Sequence, residues 1–290
     1  MIIVITGPTA VGKTKMSIEL AKKFNAIVIN ADAMQIYKEL DIGTAKITEK
    51  EKEEIPHYLF DIKNVLEDYS IYDYQRDLRK IIDNNKNKNI IIVGGSGLYI
   101  KAGLFDYRFN KEENNNIDLK KYSNEELYNL VKIKYPNYDV HINNRKRLER
   151  LFIKEKEIEV PAKILYDQVY FIGLTTDRET LYERINKRVD IMLKDGLIDE
   201  VKKFYEQNIF SKAIMTGIGY KELYKYFSNE LSLEESVELI KKNSRHYAKR
   251  QYTFFNNQLN MTWFNVDFDN FDNTINEVIN YLKGRKNEKI

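Results

Sequence analysis

The chain has 290 residues, 43% of them hydrophobic, enough to bury one large core or a core that carries an insert. Its 47 basic and 44 acidic residues leave a formal net charge of +3, too small to mark a nucleic-acid binder, so any such surface must come from local clustering. The lack of cysteine excludes disulfides, thiol catalysis and thiolate metal sites, and His57, His141 and His246 are too far apart for a local zinc motif.

Residues 2–6 read as a buried strand that runs straight into a glycine loop, and Met16, Leu20, Ala21 and Phe24 then recur at helical spacing. No basic segment precedes the strand, and no apolar stretch approaches the roughly 18 residues of a membrane span, so a cytoplasmic protein without membrane contact is expected. A second strand covers 26–30, followed by Asp32 and an irregular stretch through Gly43. Ser70 and Asp73 form a capping box for a helix to about Asn84, residues 89–93 form the next strand, and Gly94-Gly95-Ser96-Gly97 opens another helix. From about 106 to 165 the chain turns Asn-rich, charged and helical in pattern, which reads as an insertion between a first core segment, 1–105, and a second, 166–290. A strand at 170–174, helical stretches at about 177–206 and 217–227, a long helix from the capping box Ser232 and Glu235 to about Asn256, a short strand at 262–266 and a terminal helix complete the pattern. Alternating strands and helices predict a parallel α/β sheet with helices on both faces.

Gly7-Pro8-Thr9-Ala10-Val11-Gly12-Lys13-Thr14 fits the G-x-x-x-x-G-K-[ST] phosphate loop without mismatch, in the strand-to-helix context that such a loop requires. Its amides and the helix N-terminus favour phosphate oxygens, Lys13 neutralises two phosphates, and the Thr14 hydroxyl is the expected ligand of Mg2+. A hydrolase usually carries a magnesium-holding acid at the end of a hydrophobic strand; here Ile90-Ile91-Ile92-Val93 ends in Gly94-Gly95. That tilts the expectation from NTP hydrolysis toward a transferase with a diphosphate leaving group. Asp32, at the carboxyl end of the second strand, is placed to accept a proton from a nucleophilic amine or hydroxyl, the competing reading being a turn-forming or capping Asp. Gln35 can offer donor and acceptor together to a base edge. Arg184 and Arg188, one helical turn apart, can close over a diphosphate or instead pair with Glu183 or Asp190. Arg145, Lys146, Arg147 and Arg150 share a segment with Leu148, Leu151 and Phe152, and Lys242, Arg245, His246 and Lys249 share a stripe. Both basic faces suit a phosphate backbone; solvated helix faces are the plainer alternative.

The ordered series of motifs resembles the tRNA dimethylallyltransferases, also called tRNA isopentenyltransferases, over nearly the whole chain. Besides the phosphate loop it comprises Asn30-Ala31-Asp32-Ala33-Met34-Gln35-Ile36-Tyr37, Asp41-Ile42-Gly43-Thr44-Ala45-Lys46, Pro56-His57-Tyr58, Tyr74-Gln75-Arg76-Asp77, Val93 through Lys101, Gly217-Ile218-Gly219-Tyr220-Lys221-Glu222 and Tyr247-Ala248-Lys249-Arg250-Gln251. The resemblance implies a P-loop kinase-like parallel sheet flanked by helices, with a mostly helical insertion domain. It implies dimethylallyl diphosphate and the tRNA anticodon stem-loop as substrates of a monomeric enzyme, with adenosine 37 of tRNAs reading U-initial codons as acceptor. Asp32, Lys13 and Ser96 would act in catalysis. Asp32, Ala33, Met34, Gln35, Ser96 and the segment Lys146, Arg147, Leu148, Glu149 and Arg150 would meet the tRNA. The family usually has Ser, Thr and Trp where this chain has Ala33, Ser96 and Phe254, and Pro-Asn-Asp where Ile142-Asn143-Asn144 stands. A small-molecule kinase, an adenylate prenyltransferase and a non-enzymatic RNA binder are the competing functions; the last leaves the phosphate loop unexplained.

Overall fold

The computed structural model describes residues 1–109, 118–136, 138–153 and 163–287. The asparagines at 110 and 114–116 lie outside the described residues.

The described chain divides into two compact units, Met1–Phe105 with Ile164–Ile290, and Asp106–Lys163. In the larger unit six parallel strands form one sheet: β1 (Ile2–Thr6), β2 (Ala26–Asn30), β3 (His57–Tyr58), β4 (Asn89–Val93), β5 (Val169–Thr175) and β6 (Thr262–Asn265), in the order β3-β2-β4-β1-β5-β6. The central strands are unbroken runs of mostly β-branched residues because both faces of the sheet are covered. Strand alternation sorts them. Ile2, Val4, Ile27, Ile29, Ile90 and Ile92 point to one side, where they pack with α2 (Ile71–Asn84) and α3 (Gly97–Leu104). Ile3, Ile5, Val28, Ile91, Ile172 and Leu174 point to the other, against α1 (Lys13–Phe24), α6 (Arg178–Lys194) and α11 (Phe271–Asn287).

Beyond the sheet, α6, α7 (Leu197–Glu206), α8 (Lys212–Thr216), α9 (Tyr220–Phe227) and α10 (Leu233–Gln258) build a helical cluster around Leu197, Phe204, Tyr220 and Ile240. The stretch expected as helical over 177–206 is two helices that break at Asp195 and Gly196, and the one expected at 217 starts at Tyr220, after a Gly217–Gly219 turn. The two expected capping boxes form: Ser70 with Asp73, and Ser232 with Glu235. In α2 and α10 they satisfy amides that the first helical turn leaves without partners. The two-residue strand β3, too short for a periodicity to register, escaped the sequence pattern.

In the smaller unit α4 (Asn124–Lys134) and α5 (Arg145–Ile153) close on a core of Leu127, Val131, Val140, Leu148 and Leu151. So small a core depends on each member, and Leu148→Ala should cost it about 2 to 5 kcal/mol. Native-state hydrogen exchange should show the amides of α4 and α5 losing at least about thirtyfold of their protection while those of β1 and β4 keep theirs. Unchanged protection in α4 and α5 would contradict this core.

Candidate active site

A parallel sheet puts the carboxyl ends of β1, β4 and β2 side by side, and register aligns Ile5 and Asn30 with Val93. The loops that follow, residues 7–12, 94–96 and 31–37, therefore meet at one edge, where open α/β sheets bind ligands. Gly12, the last loop residue, has φ +92, and a Cβ there would stand 2.6 Å from the Phe271 ring, so the turn into α1 needs glycine. No side chain caps α1. Its first-turn residues Lys13, Thr14 and Lys15, with Ala10 and Gly12, line a cavity of about 990 Å³, so the positive end of the helix looks into it.

The Lys13 ammonium folds back over the loop and donates to the carbonyls of Gly7 at 3.1 Å and Pro8 at 2.7 Å. Burial, assisted by the neighbouring Arg188 guanidinium and opposed by the Asp32 carboxylate, pushes its pKa down to about 7. Arg184 donates to the Ala10 carbonyl at 3.0 Å and lies 3.7 Å over the Phe268 ring, and Arg188 reaches toward the Thr44 carbonyl at 3.5 Å. Asp190, the alternative partner of Arg188, instead pairs with Lys241 at 2.9 Å. Both arginines line the cavity of Lys13 and Thr14.

Asp32 is half-buried two residues beyond β2. Its position is dictated by Asn30, the one polar residue of the strand and fully buried: Asn30 Oδ1 accepts from the Asp32 amide at 2.8 Å, and Nδ2 donates to the carbonyls of Asp32 and Leu59. The Asp32 carboxylate accepts from the Met34 amide at 2.9 Å. Ser96 Oγ accepts from the Ala33 amide at 3.0 Å, while the Ser96 amide donates to the Ala31 carbonyl. Gln35 spends its amide nitrogen on the carbonyls of Thr44 and Ala45, so its donor side is used by its own loop. Asp32, Thr9, Thr44, Arg188 and Tyr247 also line a second, mainly apolar pocket of about 260 Å³, whose walls include Ile185, Val189, Met192, Leu197, Ile218 and Ile240. Asp32 thus lines both the cavity that holds Lys13, Arg184 and Arg188 and the smaller pocket walled by these aliphatic side chains.

Comparison with known proteins gives the family. Residues 35–258 match the IPP transferase family model. The chain is 44% identical to the tRNA dimethylallyltransferase of Anoxybacillus flavithermus, over 98% of this chain and 96% of that one. The chain belongs to the IPP transferase family. Among solved structures of the family, the full-length tRNA isopentenylpyrophosphate transferase of Bacillus halodurans superposes with a TM-score of 0.77 at 39% identity, covering 99% of this chain and 97% of that one. A eukaryotic dimethylallyltransferase captured acting on tRNA gives a TM-score of 0.76 at 30% identity, covering 90% of this chain and 73% of that one.

Within this IPP transferase fold the basic segments divide into surface and scaffold. On α5, Lys146, Arg147 and Arg150 are exposed, and Arg147 rests on Tyr138, 5.3 Å from the ring centre. Leu148 is fully buried in the small core and offers no surface, so it anchors the helix and is no contact residue. Glu149 pairs with Arg145 at 2.6 Å, and Arg145 also binds the carbonyls of Leu119 and Tyr122, so it braces the unit instead of joining the exposed face. On α10, Lys242, His246 and Lys249 are exposed, whereas Arg245 donates to Asn186 at 2.6 Å. Two features of the site lay outside the residues singled out for roles by sequence. Asn30 was foreshadowed only by a polar side chain closing an otherwise apolar strand. Glu200 accepts the amides of Asp41, Ile42 and Gly43 and the hydroxyl of Tyr220, which locks the loop carrying Thr44; no local pattern announces a clamp across some 157 residues of chain.

The lowered Lys13 pKa makes a signed prediction. Between about 7 and its unfolded value of about 10.4 the folded state holds less of this proton than the unfolded chain, so this group's contribution to stability rises with pH across that window. A bound anion raises the pKa and draws the proton back. At pH 8, calorimetry of inorganic diphosphate binding in buffers of different ionisation enthalpy should show greater proton uptake by the wild type than by Lys13→Met, with the gap closing toward pH 6. Equal uptake at pH 8 would contradict the assignment.

Proposed function

We propose that this protein transfers a dimethylallyl group from dimethylallyl diphosphate to the N6 amine of adenosine 37, next to the anticodon, in tRNAs reading codons that begin with U, yielding N6-(dimethylallyl)adenosine. The observation that carries the reading is the place of Asp32 between a phosphate loop and an apolar pocket, because the reaction needs an anion cradle, a dry pocket for a small allyl group and a base within reach of both. The shared name of relatives at this level of identity supports the choice of tRNA as acceptor. Cytoplasmic, monomeric action is part of the proposal; among the described residues no helix is long and apolar enough to cross a membrane.

In the reaction the allylic C1–O bond breaks and its electron pair leaves with the diphosphate, while the adenine nitrogen forms the new bond to C1 and releases a proton. The first turn of α1, Lys13, Arg184 and Arg188 stabilise the negative charge that grows on the leaving group; preorganised donors of this kind supply the largest part of many rate enhancements. Residues Ile185, Val189 and Ile240 hold the five-carbon group away from water, which would otherwise capture the allyl cation. Asp32 takes the proton from the amine. The hydroxyl of Thr14, exposed on the cavity beside Lys13, fits a Mg2+ ligand. Among the described residues no cluster of three acids or histidines exists, and Mg2+ commonly rests on one or two protein oxygens with phosphate and water. Bound there, it would add positive charge at the diphosphate. The target adenine leaves its stack to reach the site, and the exposed Lys146, Arg147 and Arg150 suit phosphates of the tRNA backbone.

Labelled dimethylallyl diphosphate offered with tRNA, AMP or ATP tests the acceptor: label should enter tRNA alone, and preferential labelling of AMP or ATP would replace this reading by nucleotide prenylation. Asp32→Ala should lower transfer by roughly 10² to 10⁴ while tRNA binding persists; turnover within about tenfold of wild type would remove Asp32 as the base. Replacing Arg147 and Arg150 together by Ala should lower the slope of log affinity for tRNA against log salt by about one per lost contact. An unchanged slope in a folded double variant would withdraw α5 from the tRNA interface.

A further inference from the structure

The helix α10 presents two polar side chains one turn apart, Tyr247 and Gln251, to the edge of the sheet where the site is built. Gln251 is 4% exposed, and both ends of its amide are committed. Oε1 accepts from the amide of Thr9 in the phosphate loop at 3.1 Å, and Nε2 donates to the carbonyl of Gly95 in the turn after β4 at 3.2 Å. The fit leaves no slack: a Cβ on Gly95 would lie 2.0 Å from Gln251 Nε2 and 3.6 Å from the Tyr247 hydroxyl. That hydroxyl lies beside the side chains of Ser96 and Gln251, which can donate to it, and burial together with the nearby Asp32 carboxylate raises its pKa, so it stays neutral. From Ser96 the chain of contacts continues to the Ala33 amide, next to Asp32. A buried side-chain amide with both ends satisfied holds its partners at fixed spacing, because breaking either bond strands a polar group away from water.

We propose that Gln251 and Tyr247 are positioning residues that couple the phosphate loop to the Ser96–Asp32 side of the site, so that an anion seated on the loop sets the register of the base. The inference rests on the reading of the loop as the diphosphate cradle. It gives a task to the Tyr247–Gln251 motif, which neither phosphate binding nor proton transfer requires as such. A displacement of about 1 Å between reacting groups costs up to about a hundredfold in rate, which is the scale on which such a coupling matters.

Two measurements test it, one independent of the acceptor. In hydrogen exchange with and without inorganic diphosphate, the wild type should gain protection both in the loop at 7–14 and in the turn at 94–97. In Gln251→Met, of similar length but without either bond, the gain should stop at the loop. In transfer assays the same variant should lose about tenfold to a hundredfold in kcat with tRNA affinity within about twofold of wild type, and Tyr247→Phe should show a smaller loss of the same kind. Protection that reaches 94–97 in Gln251→Met, or a kcat within about twofold of wild type, would overturn the proposal. A fall in kcat matched by a fall in tRNA affinity would overturn it too, since that pattern marks general damage. If circular dichroism shows Gln251→Met to be misfolded, Gln251→Glu decides on the same criteria, because it keeps the acceptor for Thr9 and loses the donor to Gly95. A wild type that transfers nothing to tRNA would defeat the proposed function, and the exchange measurement would still decide the coupling.

Discussion

Everything at this site depends on the parallel sheet bringing three strand ends to one edge. Ile5 and Asn30 align with Val93 at the ends of β1, β2 and β4, and Thr6 Oγ1 donates to the Gly94 carbonyl at 3.0 Å, tying the end of β1 to the turn after β4. Antiparallel neighbours would scatter these loops to opposite edges. With them gathered, a backbone that must turn sharply after β1 offers its amides to an anion, while the backbone after β2 offers a carboxylate. The two sets of groups have opposite charge and need not be moved toward each other; the fold has already placed them around one cavity.

The electrostatics of the cavity follow from that crowding. Burial disfavours the Lys13 charge first, and the like charge of Arg188 adds to it, so Lys13 yields its proton more readily than a free lysine. A diphosphate would reverse the balance by supplying the missing negative charge, so ligand binding and protonation are linked. Beyond Arg188 the walls turn apolar, with Val189, Leu197 and Ile240 almost fully buried. The cavity of Lys13 and this pocket share Asp32 together with Thr9, Thr44, Arg188, Met192 and Tyr247.

What could be read from the sequence was what short stretches encode. The phosphate loop, the capping boxes at Ser70 and Ser232 and the β-branched strands each arise within about ten residues, and local chemistry leaves little freedom in how they form. The links that make these pieces a site are long-range. Gln251 meets Thr9 across 242 positions, and Glu200 clamps the amides of Asp41–Gly43 from a helix that follows some 157 residues later. Periodicity carries no information on either. Charge patterning misled at Arg145, which a basic run offers as surface and tertiary contacts turn into a brace, while Leu148 is core as its place among Leu151 and Phe152 implies. The family resemblance supplied motifs such as Tyr247–Gln251, and only the fold shows what they touch.

The central claim is that the phosphate loop serves a leaving group and is not a site of nucleotide hydrolysis. The most direct measurement is the product balance of a single reaction mixture of protein, Mg2+, dimethylallyl diphosphate and tRNA, with and without ATP. The proposed function predicts one inorganic diphosphate released for each tRNA modified, the same rate in both mixtures and no ADP. Transfer that requires ATP, or ADP accumulating in step with modified tRNA, would contradict it.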